Sequence, residues 1–278
     1  VGNILWLASY PKSGNTWIRA FLANLVANRP APLPLSELPR YCSDDALPEL
    51  YARLAGRPVT ELDIGELCAL RTRVHAAMVE NRRGTLFVKT HNLAGSFDGH
   101  PLQNMALTSG AIYVVRNPLD VAVSMTYHFG LTVDEAIDRL AADGLATATD
   151  ALFVGQVLGS WSRHVSSWSA LANERIVVVR YEDLLEKPVK AFGKIAKLVG
   201  LGDNRQDIER AIRYSNFQTL ASIEKRDGFV EVSDKTRRFF RIGRANQWRT
   251  ALTREQIARI IHDHREQMMR FKYVPAGY

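Results

Sequence analysis

The stretch Asn3-Ile4-Leu5-Trp6-Leu7-Ala8-Ser9-Tyr10-Pro11-Lys12-Ser13-Gly14-Asn15-Thr16-Trp17-Ile18 changes character within sixteen residues. Its first part is an apolar run of strand length. The part from Ile18 onward places Phe21, Leu22, Leu25 and Val26 at i+3, i+4, i+7 and i+8, the stripe of an amphipathic helix. Between them Tyr10-Pro11 ends the strand and Gly14 permits a tight turn. A buried strand feeding a helix start gathers backbone N–H groups and the positive end of the helix dipole at one point, which makes a cradle for phosphate-like anions. Lys12 adds a full charge there, Ser13 and Thr16 add hydroxyl donors, and Gly14 allows close backbone approach. The loop lacks the Gly-x-x-x-x-Gly-Lys-Ser/Thr spacing of a Walker A motif.

Working outward, Thr85–Lys89 reads as a second buried strand, Ala111–Val115 as a third and Arg175–Tyr181 as a fourth. The third runs into Arg116-Asn117-Pro118, where Asn117 caps a helix, Pro118 suits its first turn and Asp120 follows three residues later. Helices are expected near 156–172, over 188–199 and over 253–270, and a short helix with a mobile loop over 131–152. Strands alternating with helices predict an α/β fold: a single domain over 1–278 with a central parallel sheet flanked by helices. Two segments stand apart, 29–84, which opens with four prolines, and 131–155; both read as variable lid or acceptor-side segments. Ligands of such sheets bind beyond the carboxyl ends of the strands, where the turns at 10–16, 89–92 and 116–118 gather.

Composition narrows the classes. With 46% hydrophobic and 23% charged residues the chain is globular rather than disordered, and no apolar run is long enough for an integral membrane segment. The apolar start has no basic segment before it and no small-residue cleavage site after it, so it reads as a strand and not a signal peptide. The sequence opens at Val1, so preceding residues, at least an initiator Met, are expected to be missing. Two cysteines, Cys42 and Cys68, suggest reduced thiols and a cytoplasmic setting. The net charge of +7 favours an anionic ligand. Lys235, Arg237, Arg238, Arg241, Arg244 and Arg249 lie in fifteen residues without an acid, interleaved with Phe239, Phe240 and Trp248, and resemble part of an anion site.

Arg116 ends a strand and Ser124 lies about two turns into the next helix, so a bidentate guanidinium and a hydroxyl can address one terminal phosphate; the alternative is an ion pair of Arg116 with Asp120. His91 follows the second strand at its active edge, beside Lys89, where a near-neutral imidazole can accept a proton; the alternative is a hydrogen-bonded loop histidine. His128 is a second candidate with a supporting or substrate-side role. His262 and His264, two apart on a helix, point to different sides and are expected at the surface, so no metal site is expected.

The octapeptide Tyr10–Trp17 resembles the 5′-phosphosulfate loop of the sulfotransferases that use 3′-phosphoadenosine 5′-phosphosulfate (PAPS). Arg116-Asn117-Pro118-Leu119-Asp120-Val121-Ala122-Val123-Ser124 is similar to their 3′-phosphate motif, and Phe240-Arg241-Ile242-Gly243 through Trp248-Arg249 to their C-terminal motif. Lys89-Thr90-His91, Gly159-Ser160-Trp161, Arg180-Tyr181-Glu182-Asp183-Leu184 and Phe217 match more weakly, in the family's order. The resemblance implies a P-loop-like phosphosulfate loop of Lys12, Ser13, Gly14, Asn15, Thr16 and Trp17. It implies a 3′-phosphate pocket of Arg116, Ser124, Arg241 and Gly243, and adenine packing by Trp17 and Phe217 with Tyr181 at the edge. His91 is then the catalytic base, Lys12 stabilises the leaving phosphate and Lys89 acts on the transferring group. PAPS is the donor, PAP (3′-phosphoadenosine 5′-phosphate) the product, and no metal takes part.

Departures from that pattern are Asn15 where cytosolic members more often carry Thr, Ile242 for the Lys before the motif glycine, and Asn246-Gln247-Trp248 for Gly-Asp-Trp. Residues 249–258 lack the family's dimer signature, which leaves the oligomeric state open and points to a bacterial or divergent member. The rival readings are a P-loop nucleotide kinase and a non-catalytic anion- or nucleic-acid-binding domain. The expected partner is a small-molecule, lipid or carbohydrate acceptor and not nucleic acid. Phe129, Leu131 and Phe153 suit an aromatic or lipid-like alcohol; Asp98, His100 and Gln103 suit a sugar.

Overall fold

Along the first strand, β1 (Asn3–Ser9), Ile4, Trp6 and Ala8 belong to one buried apolar cluster and Leu5 and Leu7 to another. Successive side chains on a strand point to opposite faces, so a strand apolar on both must be covered on both. The structure, a computed structural model, describes residues 2–233 and 235–278; Val1 and Asp234 lie outside the described residues. Strands β2 (Cys42–Asp44), β3 (Thr85–Thr90), β4 (Thr108–Val115) and β5 (Ile176–Arg180) join β1 in one parallel sheet of order β2-β3-β1-β4-β5. The α/β class with a central parallel sheet flanked by helices is therefore as the periodicity predicts. From β1 the chain passes to the edge strand β2, returns to β3 beside β1 and then crosses to β4 on the other side of β1, so the turn after β1 lies at the reversal where ligands of open sheets bind.

Helix α1 (Asn15–Ala27) buries Ile18, Phe21, Leu22 and Leu25 against the sheet. Val26, expected on the same stripe, is exposed in the last turn before the left-handed Asn28 ends the helix. Helix α2 (Ile64–Val79) lies in the segment read as a lid, and α3 (Pro118–Phe129) and α4 (Val133–Ala141) follow β4. Helix α5 is shorter than expected, Trp161–Ser169, because Ser160 caps it and residues before it are extended, with Val157 bridging to Ala146. After β5 come α6 (Tyr181–Glu186), α7 (Pro188–Leu198), α8 (Arg205–Ser215), α9 (Phe217–Asp227) and the C-terminal α10 (Arg254–Arg270).

The largest departure concerns the two variable segments. Residues 42–44, inside the proline-rich stretch, form the edge strand β2, in register with β3. Ala46, Tyr51, Val59, Leu62, Leu67 and Val74 build a cluster of their own that includes Val154 from the other segment. Buried Arg71 spans the two, donating to the Tyr51 hydroxyl (2.9 Å) and to the Gly155 carbonyl. The loop expected to be mobile is tied by Thr147 N–H to the Gln156 carbonyl (2.9 Å) and by Gln156 N–H to Thr147 Oγ1 (2.9 Å). The two segments thus pack on each other beside β3. Both cysteines are buried free thiols, and no helix among the described residues is long and apolar enough to cross a membrane.

Candidate active site

The turn after β1 carries two left-handed residues, Lys12 (φ +66°) and Gly14 (φ +106°), on either side of Ser13. This alternation curls successive N–H groups around one point. Gly14 then serves as the N-cap of α1 without any side-chain cap, so the first helical N–H groups remain directed at the cradle. Only glycine fits, since a Cβ at position 14 would lie 2.7 Å from Cδ2 of Tyr181. Ser13 Oγ is buried without a partner. Asn15 turns the other way: its amide donates to the Leu7 carbonyl (2.8 Å) and to Ser9 Oγ (3.3 Å), pinning the loop to β1.

Lys12 Nζ sits 4.4 Å from the centre of the Phe239 ring. Burial, with Arg116 and Lys89 nearby, pushes its pKa down to about 7 despite the opposing charge of Glu231. Arg116 ends β4 and links the cradle to the basic C-terminal loop. Its guanidinium donates to the carbonyls of Lys12 (2.9 Å) and Arg244 (3.3 Å), lies 4.4 Å over Tyr181, and leaves a buried Nε without a partner. The ion pair with Asp120 does not form. Asp120 instead accepts from the backbone N–H groups of Asn246 (2.7 Å) and Trp248 (3.1 Å), and so clamps the basic loop over α3 rather than completing a capping box. Asn117 does cap, accepting from Leu119 N–H at 3.0 Å.

Ser124, Arg241 and Gly243 line the same cavity as Arg116. Arg241 stacks 3.6 Å over Tyr127 and donates to Gln247 Oε1 (2.7 Å). Gly243 is left-handed (φ +64°), and a Cβ there would come within 2.1 Å of Phe217 Cδ2. Ile242 is partly exposed at the rim. Trp17 packs edge-on to Tyr181 (5.7 Å) and Phe192 (5.4 Å), with its indole Nε1 buried and unpartnered. Trp17, Tyr181 and Phe217 thus share one cavity of about 990 Å³ with Lys12, Gly14, Arg116, Ser124, Arg241 and Gly243.

His91 stands at the mouth of β3. Its Nδ1 lies 2.7 Å from the Ser9 carbonyl oxygen, which can only accept, so Nδ1 carries the proton and Nε2 is left as a base in a ring that lines the cavity. Burial and the Lys89 charge push its pKa down to about 3, so it is neutral at physiological pH. Its backbone is held on both sides: N–H to Gln156 Oε1 (2.7 Å), and carbonyl from His164 Nε2 (3.0 Å). Lys89 Nζ bonds Asp44 Oδ2 at 2.7 Å. Burial alone would lower the ammonium's pKa, but Asp44 and Glu231 keep it raised. His128 lies edge-on to Phe129 (4.7 Å) and Phe239 (5.9 Å), lowered to about 4 by burial and Lys12.

Three site residues escape sequence reasoning. Arg19, one turn into α1 and buried, pairs with Glu231 at 2.5 Å. The Glu231 carboxylate also accepts from Thr16 Oγ1 (3.4 Å). Burial opposes its charge, yet Lys89 and Arg19 hold its pKa down to about 2. Asp44 is the third. Arg19 leaves a faint local trace, a charge on an otherwise apolar helix; Glu231 and Asp44 leave none. His262 is exposed as expected, but His264 is buried, with its Nδ1 2.9 Å from Ser162 Oγ, because it faces α5. Among the described residues no three His, Cys, Asp or Glu side chains gather as a metal site.

The sulfotransferase domain family matches residues 3–272, and the chain belongs to it. It is 27% identical to flavonol 3-sulfotransferase of Flaveria bidentis, over 93% of this chain and 79% of that protein. It is 29% identical to cytosolic sulfotransferase 16 of Arabidopsis thaliana, over 91% and 72%. Among solved structures, a mouse sulfotransferase complexed with PAP superposes with a TM-score of 0.62 at 21% identity, covering 96% of this chain and 84% of that one. Retinol dehydratase in a complex with retinol and PAP gives 0.65 at 19% identity, covering 95% and 81%. The α/β fold is that of these proteins, and the chain is a sulfotransferase.

Proposed function

We propose that the cavity binds PAPS and that the enzyme transfers its sulfuryl group to a hydroxyl of a small apolar acceptor. The observation that carries this reading is Arg116, which joins two anion pockets through the Lys12 and Arg244 carbonyls while a tautomer-fixed histidine lines the same cavity. Two unpartnered buried side-chain atoms fit the donor: Ser13 Oγ, beside the backbone N–H groups of the cradle, suits the 5′-phosphosulfate, and Arg116 Nε suits the 3′-phosphate with Ser124, Arg241 and the Gly243 backbone. Trp17, Tyr181 and Phe217 offer faces for the adenine. PAPS supplies the sulfuryl group and leaves as PAP.

The chain's own residues do the rest. His91 Nε2 accepts the acceptor's proton, and Ser9 holds the ring in the tautomer that can. Anionic charge beside Lys12 and Lys89 offsets the cationic field that lowers His91, so the base strengthens when the site is filled. Lys12 and the cradle N–H groups face the oxygen on which charge builds, as preorganised donors do in phosphoryl transfer. The segments 29–84 and 131–155 form the acceptor side of the single domain. Phe129 and Phe153 line the cavity there. Gln103 is buried and donates to the Leu93 carbonyl, and Asp98 and His100 sit exposed around a small hairpin, which favours an apolar alcohol over a carbohydrate. The free thiols suit a cytoplasmic setting.

Calorimetry of PAP, beside ATP with Mg²⁺, tests the reading. PAP binding that weakens at least about tenfold on Arg116→Ala is the expected result. Preference for ATP, or no binding of PAP, overturns it.

A further inference from the structure

We infer that Asp44 is a positioning residue for the reaction: it holds the Lys89 ammonium in place at the edge of the sheet, so that the segment forming β2 is part of the catalytic apparatus. This rests on the sulfuryl-transfer reading of the cavity and deepens it. Asp44 and Lys89 are direct cross-strand partners in the β2–β3 register. Side chains on paired residues leave a sheet on the same face, so this register alone brings carboxylate and ammonium together. The ladder continues one step beyond, with the Asp45 N–H donating to the Lys89 carbonyl at 3.1 Å. The carboxylate is fixed at both ends: Oδ1 accepts from the Ala46 N–H (3.0 Å), and Oδ2 accepts from Lys89 Nζ (2.7 Å).

Both side chains are only 10% exposed. Taking two charges out of water costs more than their attraction usually returns, and an apolar pair in such a place tends to be at least as stable. The pair is therefore a poor stabilising device but a good way to hold an ammonium still. One of the three ammonium donors goes to Asp44, which leaves two for the cavity that Lys89 lines. The Phe153 ring, 5.5 Å from Nζ, stands on another side.

The charged and titratable groups that act on Lys89 are Asp44 from β2, Glu231 from the segment after α9, Arg19 from α1, Lys12 from the cradle, His91 beyond β3 and His128 from α3. Without Asp44, Glu231 is the only acid among them and is already paired with Arg19. Burial and the neighbouring cations then favour the neutral amine. An Asp44→Asn enzyme at saturating PAPS should thus lose kcat as pH rises through a lowered Lys89 pKa, on a limb the wild-type kcat does not show in that range.

The test compares wild type, Asp44→Asn, Asp44→Glu, Lys89→Met and the Asp44→Asn/Lys89→Met double variant. PAPS consumption is followed both without added acceptor, where water takes the sulfuryl group, and with 2-naphthol. PAP affinity and thermal midpoint are measured alongside. Asp44→Asn is expected to lower kcat about 10- to 100-fold, the scale of a misplaced catalytic group, with PAP affinity within about threefold. Asp44→Glu restores part of the loss. In the Lys89→Met background Asp44→Asn costs little more, because the residue it acts through is gone. Multiplicative losses in the double variant overturn the inference, as does a fall in PAP affinity that matches the fall in kcat, or an unchanged kcat. Wild-type protein that neither binds PAP nor consumes PAPS overturns the sulfuryl-transfer reading itself.

Discussion

The lysine of the cradle makes a prediction that calorimetry can count in protons. Burial and the cations around it bring Lys12 down to about 7 in the free protein. At pH 8 such a group is only about 10% charged. A bound phosphate places negative charge against it and returns it to the ordinary lysine range. Binding PAP at pH 8 should therefore take up about 0.9 proton. Linkage fixes the sign: affinity should fall by up to about tenfold per unit as pH rises above about 7. The phosphates of PAP do not confuse the count, since their second ionisation, near pH 6, is complete at pH 8. His91 and His128, down at about 3 and 4, begin neutral. They would add protons only if the ligand raised them by about four units or more, so Lys12→Met separates the sources. The assay is titration of PAP in Hepes and in Tris at pH 8, where the dependence of the observed heat on buffer ionisation enthalpy reads the protons directly. Zero uptake by wild type, or the same uptake by Lys12→Met, would refute the reasoning.

Three further outcomes are expected. His91→Ala should lower kcat by about 10²- to 10⁴-fold while PAP affinity holds, and equal losses in both would remove the histidine from the role of base. Gly243→Ala combines a left-handed position, costing about 1–2 kcal/mol, with a Cβ 2.1 Å from Phe217; displacement of that ring should weaken PAP binding about tenfold or more in a protein that still melts cooperatively. Arg71→Met removes the cation whose charge opposes the burial that raises the Asp45 carboxyl to about 6, and with it the bonds to the Tyr51 hydroxyl and the Gly155 carbonyl, so it should destabilise the fold in denaturant unfolding. That loss should grow as pH rises above about 6, because below it the folded carboxyl is protonated with or without Arg71 and the unfolded chain is the same for both; a loss independent of pH would mean that Arg71 does not act through Asp45.

Most of the reaction edge was legible in the primary structure because its parts are local. The strand–turn–helix at 3–27 follows from period and from Gly14, whose left-handed φ the following helix requires. Asn117 and Pro118 mark their helix start as capping chemistry demands. Where reading residue by residue misled, the partner lay far along the chain. Asp120 looked like half of a capping box or an ion-pair partner, and is instead an acceptor for backbone 126 and 128 residues away. Asn15 sits in the motif after β1, and its side-chain amide reaches back to that strand's Leu7 carbonyl. His264 seemed a surface residue by helical spacing, and its burial depends on α10 packing against α5.

The sequence by itself determined the class of fold, four of the five strands described in its sheet, the two motifs and the family they resemble. Hydrophobic period, turn residues and contiguous motifs are written within a few residues of one another, and they survive any uncertainty about how the pieces assemble. Only the tertiary structure decided which charges meet. The β2–β3 register puts Asp44 on Lys89, the turn at 229–232 carries Glu231 to Arg19, and the Ser9 carbonyl selects the His91 tautomer. A strand register or a loop path is set by the packing of the whole sheet rather than by the residues it joins. A one-residue slip of β2 would have turned Asp44 to the other face.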